Sequence, residues 1–140
     1  MMRSLFTTVA GTGLLFFSLV GLQAAPQDDQ DKWYQDREGY YHGEGWHARF
    51  FERVRQDLDH VQSIAFSGSD EDRVVETKQR LDDLQRKHAE GRYDQPELEQ
   101  TIVSLRRVVD DNRLSGRDHD ILKDDLDRMQ DYRENHDRWR

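Results

Sequence analysis

Between Trp46 and His136, apolar side chains recur every three or four residues in four successive windows. That spacing lines one face of a helix, so the chain is constrained to bury narrow stripes between amphipathic helices. The first window runs from about Trp46 to Phe66, with Phe51, Val54, Leu58, Val61 and Ala65 on one face and Phe50 and Ile64 widening it. The second runs from about Asp70 to Ala89 with the stripe Val74, Thr77, Leu81, Leu84 and His88. The third carries Leu98, Ile102, Leu105, Val108 and Val109 and fades at Asp110, Asp111 and Asn112. The fourth carries Ile121, Leu122, Leu126, Met129 and Tyr132.

The windows are bounded by helix start and stop chemistry. Ser67, Gly68 and Ser69 break the first pattern, and Ser69 is suited to cap the second helix, with Asp70, Glu71 and Asp72 at its positive end. Gly91 sits where a glycine C-cap belongs. Asp94 with Glu97 makes a capping-box-like start for the third helix, and Pro96 falls in its first turn, where a missing N–H costs nothing. Ser115 with Asp118 repeats that logic for the fourth. The stretch from Gly91 parallels the stretch from Asn112 at an offset of about 21 residues. Two readings fit this parallel, a duplicated unit or two helices obeying the same start rules. Glu76 with Arg80, Asp82 with Arg86, Asp83 with Lys87, and Asp124 with Arg128 place an acid four residues before a base, the favourable order on a helix surface.

The expected fold is therefore all-α: a small four-helix arrangement, or two helical hairpins, over residues 46–136, followed by a charged tail at 137–140. Charged residues make up 36% of the 140-residue chain and hydrophobic ones 34%, so the core must be thin. A composition this polar also suits disorder, but the regular apolar spacing argues against it for the second half. A homodimer sharing helices would bury more of the narrow stripes, so homo-oligomerisation stays open.

The first 25 residues differ sharply from the rest. Arg3 precedes the apolar run Leu14 to Leu22, and the small residues Ala24 and Ala25 stand before Pro26 and an acidic stretch. This is the three-part layout of a secretory signal peptide, with cleavage expected after Ala24. Retention as an anchor is the competing reading. The apolar run is shorter than the roughly 20 residues of a stable span, so no membrane span is expected once the signal is cleaved. The expected location is periplasmic or secreted. Residues 25–45 show neither helical nor strand period and carry Trp33, Tyr34, Tyr40 and Tyr41 among glycines, which predicts a flexible polar and aromatic lead-in.

Net charge limits the partners. The chain carries −8, and Arg3 is the only charge in its first 25 residues, so the remainder carries −9. Nucleic acid is disfavoured, because phosphates must be neutralised by Lys and Arg. A basic protein partner or cations remain open. The absence of cysteine removes disulfides, thiolate catalysis and cysteine-ligated zinc.

The segment from Gly91 to Arg133 contains Gly91-Arg92-Tyr93-Asp94-Gln95-Pro96-Glu97-Leu98, then Arg107-Val108-Val109-Asp110-Asp111-Asn112-Arg113-Leu114-Ser115, then Arg117-Asp118 and Asp124-Asp125-Leu126. It resembles a group of uncharacterised exported helical proteins of soil bacteria. The resemblance implies export and helices, with no activity and no functional residue to carry over. In size, export and composition the chain is also comparable to small periplasmic helical chaperones, although their Leu-Thr-x-x-Gln signature is absent.

No residue set has mutually supporting catalytic roles, so a non-enzymatic protein without cofactor is expected. There is no Gly-x-Ser-x-Gly, and Ser69 and Ser115 suit capping. Asp57 with His60 is the single Asp-x-x-His pair, short of what a di-iron bundle needs. The acids Asp118, Asp120, Asp124, Asp125, Asp127 and Asp131 lack calcium-loop order and read as a solvated helix face. His42, Glu44 and His47 are the weak metal-ligand candidates, set against a glycine-rich linker that happens to hold histidines. Trp33, Tyr34, Tyr40, Tyr41 and Trp46 are candidates for binding a partner, or for folding back to complete the core. The function these features predict is a protein-interaction or envelope-protective role, with metal binding or sensing as the alternative.

Overall fold

The computed structural model describes residues 31–62 and 68–139. The expected signal peptide at 1–24, the start of the lead-in, the stripe positions Ile64 and Ala65, the helix end at Phe66, the break at Ser67, and Arg140 lie outside the described residues. The chain divides into two compact units, residues 1–44 and 45–140. The described residues are helical, with no strand among them, which establishes the all-α class.

In the first unit, residues 31–42 form a helix, α1, where the sequence predicts a flexible segment. The difference has a physical cause. Its stripe is aromatic: Trp33, Tyr34, Arg37, Tyr40 and Tyr41 recur at helical spacing and are its less exposed positions, a period masked by the polar residues and Gly39 between them. Trp33 and Tyr34 meet edge to face at 5.1 Å, as do Tyr40 and Tyr41. The Arg37 guanidinium lies 5.0 Å over the Tyr41 ring, one helical turn on.

The second unit opens at Gly45, which has φ +78°. A 3-10 turn over Trp46–Arg49 leads into α2 (Phe50–Gln62), and α3 (Ser69–Ala89), α4 (Gln95–Asp111) and α5 (Gly116–Asn135) follow. A second 3-10 turn spans His136–Arg138. Cross-helix contacts fix the topology. Arg55 meets Asp82 and His47 meets His88, so α2 and α3 are antiparallel. Arg73 bonds Asn112 while Lys87 bonds Asp94, which makes α3 and α4 antiparallel. Arg133 reaches Glu99 and Phe51 meets Tyr132, which sets α5 antiparallel to both α4 and α2. The result is an up-down-up-down bundle closed by α2 against α5.

The expected stripes form the core. Phe50, Phe51, Val54, Leu58, Val61, Val74, Leu81, Leu98, Leu105, Val108, Leu122 and Met129 are sealed from solvent. Two hydroxyls are buried with them. Thr77 donates to the Arg73 carbonyl at 2.8 Å, so the 2.6 Å contact between Thr77 and Ser104 is donated by Ser104. Val75 and Val103 are the exposed large apolar side chains among the described residues. No helix of the described residues is long and apolar enough to cross a membrane.

Most helix ends obey local chemistry. Asp94 accepts from Glu97 N at 3.1 Å, and Ser115 accepts from Asp118 N at 3.1 Å, as expected. At the end of α3, Gly91 adopts φ +74°, Gly91 N donates to His88 O, and Arg92 N donates to Lys87 O. This is the Schellman pattern, and it turns the chain directly into α4. Ser69 departs from expectation. It is the first residue of α3, and Gly68 holds the cap position without a side-chain bond. Glu76–Arg80 and Asp124–Arg128 pair as predicted at 3.1 and 3.0 Å. Asp82 pairs instead with Arg55 across to α2, Asp83 with Arg86, and Lys87 with both Asp94 and Glu97. Asp82 and Lys87 thus take partners outside α3, whereas Asp83 takes the i+3 base of its own helix.

Candidate functional site

Aromatic side chains gather at the end of the bundle where α3 and α5 finish and α2 and α4 begin. Trp46, His47, Phe50 and Phe51 arrive from the first turn and α2. His88 comes from the last turn of α3, Tyr93 from the α3–α4 connection, and Tyr132, His136 and Trp139 from the end of α5 and beyond. Trp139, expected in a charged tail, is only 6% exposed. Its indole packs at 5.1 Å on Trp46, Phe50 and Tyr132, and Nε1 donates to Asp131 at 3.1 Å. The rings meet edge to face for the most part, the arrangement that opposes a positive edge to a negative face.

The polar atoms of this end are largely turned inward. His88 Nε2 lies 2.8 Å from the His47 carbonyl. A carbonyl only accepts, so Nε2 carries a proton, and Nδ1 lies 3.4 Å from the Tyr132 hydroxyl. The Tyr93 hydroxyl donates to the Arg133 carbonyl, and its ring stacks on His136 at 3.7 Å and 8°. Burial raises the pKa of both tyrosines, keeping them neutral over the physiological range. Burial also lowers the pKa of His47, against the opposing pull of Asp131.

An open pocket of about 280 Å³ lies in this cluster. Tyr93, Tyr132, His136 and Trp139 wall it, and His88 stands among them. The small residues Ala48, Ala89 and Gly91 leave the room, and Arg92 at the rim is paired with Glu90.

A second polar feature lies between α2 and α5. Asp57, Asp118 and Asp125 are buried, at 0%, 1% and 0% exposure. The expectation of a solvated acidic face on α5 is therefore corrected for two of its members. Asp120, Asp127 and Asp131 are exposed, but Asp118 and Asp125 fall seven residues apart on the buried stripe. Arg53 approaches Asp57 at 3.5 Å with 13% of its side chain exposed. His60, half-buried beside them, has its pKa lowered by burial, against the pull of Asp118 and Asp57. The signal was present in the sequence, since Asp57 adjoins Leu58 on its stripe and Asp118, Leu122, Asp125 and Met129 share one.

The sequence candidates fall in different places. His42 ends the described part of α1, Glu44 lies in the following bend, and His47 is in the first 3-10 turn, its ring stacked on Trp46 at 3.9 Å. Among the described residues no group of three His, Cys, Asp or Glu side chains is placed to hold a metal ion. Trp33, Tyr34, Tyr40 and Tyr41 are partly buried on α1, and Trp46 belongs to the aromatic end of the bundle. Sequence reasoning missed Tyr93, Tyr132, His136 and Trp139 as one group, because they converge only through the antiparallel turn at Gly91 and the final 3-10 turn. No protein-family model, no curated protein and no solved structure matches the chain.

Proposed function

We propose that this chain is an exported, non-enzymatic helical protein, periplasmic or secreted, that works by binding, in a protein-interaction or envelope-protective role. In this reading α2–α5 serve as two hairpins that hold a recognition surface, and that surface is the aromatic end. The observation that carries it is the open pocket walled by Tyr93, Tyr132, His136 and Trp139. Concave, ring-lined sites with few polar groups are the usual form of a binding site. Tyr132 and Trp139 are nearly buried there, which leaves Tyr93, His136 and the small residues Ala48, Ala89 and Gly91 as the accessible rim.

The test has two parts. Export is checked by fractionating cells that make the chain with and without residues 1–24; equal retention inside the cell refutes it. Binding is checked by thermal unfolding of the wild type and Ala89→Leu against a panel of peptides and small solutes. A ligand of the native state raises the midpoint by mass action, and filling the pocket must remove that rise. Shifts that survive Ala89→Leu would remove the aromatic end as the recognition surface.

A further inference from the structure

We propose that the outer face of α3 and α4 is where two copies of this chain meet, packed antiparallel about a two-fold axis level with Val103. This face is separate from the aromatic end. Val103 is 43% exposed, on a helix whose other large aliphatic side chains are buried. It stands beside an open groove of about 310 Å³ between the two helices, lined also by Glu76, Arg80, Glu99, Gln100 and Arg107. Arg80 pairs with Glu76 across one turn, but Arg106 and Arg107 pair with no acid among the described residues. An exposed apolar side chain ringed by polar groups and unused charge has the layout of a protein contact.

The order of charges says which partner fits. Glu99 and Arg107 lie four residues before and four after Val103, so the three share one line of the helix. In a two-fold contact residue i meets j while j meets i. An antiparallel copy turned about Val103 therefore sets each Glu99 against the partner's Arg107, and valine against valine. The neighbouring helix repeats this at the same level. Thr77 meets Ser104 and Arg80 meets Gln100, so Lys78 of α3 lies level with Val103 of α4. Glu76 and Arg80 stand two residues before and two after it. One axis, lying in the contact and crossing both helices, thus opposes Glu76 to the partner's Arg80 as well. Two helices that invert their charge about one common level are matched by the chain itself, and an unrelated partner has no need of that symmetry. Glu76 and Glu99 keep 53% and 42% of their side chains exposed, so each has room for a second base besides Arg80 or Arg133 of its own chain.

The contact is small. From Pro96 to Asp110 the face runs about 21 Å, and two helices make it about 20 Å wide, a footprint of about 400 Å². A standard stable interface buries about 800 Å² per partner, so this dimer is weak, with a dissociation constant on the order of 0.1 mM.

Sedimentation equilibrium of the full chain from about 10 μM to about 1 mM tests it, at about 0.15 M salt, where the −8 of each copy is screened beyond about 8 Å. Wild type is expected to pass from monomer to dimer over that range. Glu99→Arg and Arg107→Glu each set like charges across the axis twice, and each should weaken the dimer at least about tenfold. Mixed in equal amounts, the two variants should associate about as well as wild type, because one then offers only bases at these positions and the other only acids. The mixture also controls for folding, since two misfolded variants do not rescue each other. Wild type that stays monomeric at about 1 mM overturns the inference. So does a dimer that neither single variant weakens, which places the contact elsewhere on the chain. Weakening by both single variants without recovery in the mixture overturns the antiparallel pairing.

Discussion

Replacing Asp94 by alanine removes two supports at once. Its carboxylate caps α4 by accepting from Glu97 N at 3.1 Å, and it holds Lys87, at the end of α3, at 2.7 Å. Loss of an N-cap costs about 1 kcal/mol, within a range of roughly 0.5–2. The ion pair adds little, because both side chains are partly open to solvent and Lys87 keeps Glu97 as a second partner; about 0.3 kcal/mol is a fair share after screening. The expected loss for Asp94→Ala is therefore about 1.3 kcal/mol. For a unit of this size each kcal/mol moves the midpoint by about 4–8 °C, so the drop should be about 5–10 °C. Asp94→Asn separates the two supports. Asparagine caps as well as aspartate, so only the pair is lost, about 0.3 kcal/mol. Urea unfolding at pH 7 with a common m-value measures both. The acid dependence follows from the pKa. Lys87, through its hydrogen bond, and then the Glu97 N–H hold Asp94 below its ordinary value. Its extra stability is complete above about pH 4 and is lost as pH falls through the lowered folded value, so the gap between wild type and Asp94→Asn should close there. If Asp94→Asn proves as damaging as Asp94→Ala, the cap is not the main support and the reasoning fails.

Two further predictions concern the interior. His60 has a folded pKa below 6.5, so on acidification the unfolded chain takes its proton first, and stability falls from about pH 6.5 down through the folded value. His60→Gln should flatten that decline, with His47 supplying a remaining part; an acid slope in the His60→Gln/His47→Gln double variant equal to wild type refutes the assignment. Thr77→Val leaves the buried Ser104 hydroxyl without its acceptor and should cost about 1–3 kcal/mol, whereas Thr77→Val with Ser104→Ala should recover much of it. Equal losses in the single and double variants, by urea unfolding, would show that the hydroxyls do not act as a pair.

What the sequence made legible was short-range. The cap at Asp94, the cap at Ser115 and the glycine turn at Gly91 each depend on residues within four positions, and each stands as read. The apolar stripes were legible for the same reason, since period alone assigns a face. Local errors are few, at Ser69, at Asp83 and over residues 31–42, and others arise where partners come from another helix. Asp82 and Lys87 chose partners on α2 and near α4, and no spacing rule within α3 could show that. Asp118 and Asp125 were misread because their residue type outweighed their position on the stripe. The aromatic end was hidden for a further reason. Its members span Trp46 to Trp139, and only the closed antiparallel bundle brings them together.

The hydroxyl pair in the middle of α3 and α4 works as a ruler. Leucines and valines facing one another would accept a slide of one helical turn, about 5.4 Å, with modest loss, because one apolar neighbour resembles the next. Thr77 and Ser104 accept no such slide. Displaced by a turn, Thr77 would keep its bond to the Arg73 carbonyl, but Ser104 would lose the oxygen it donates to. The pair thus singles out one axial alignment of the two helices. That alignment in turn sets Tyr93, in the connection above them, at the height where it meets the end of α5.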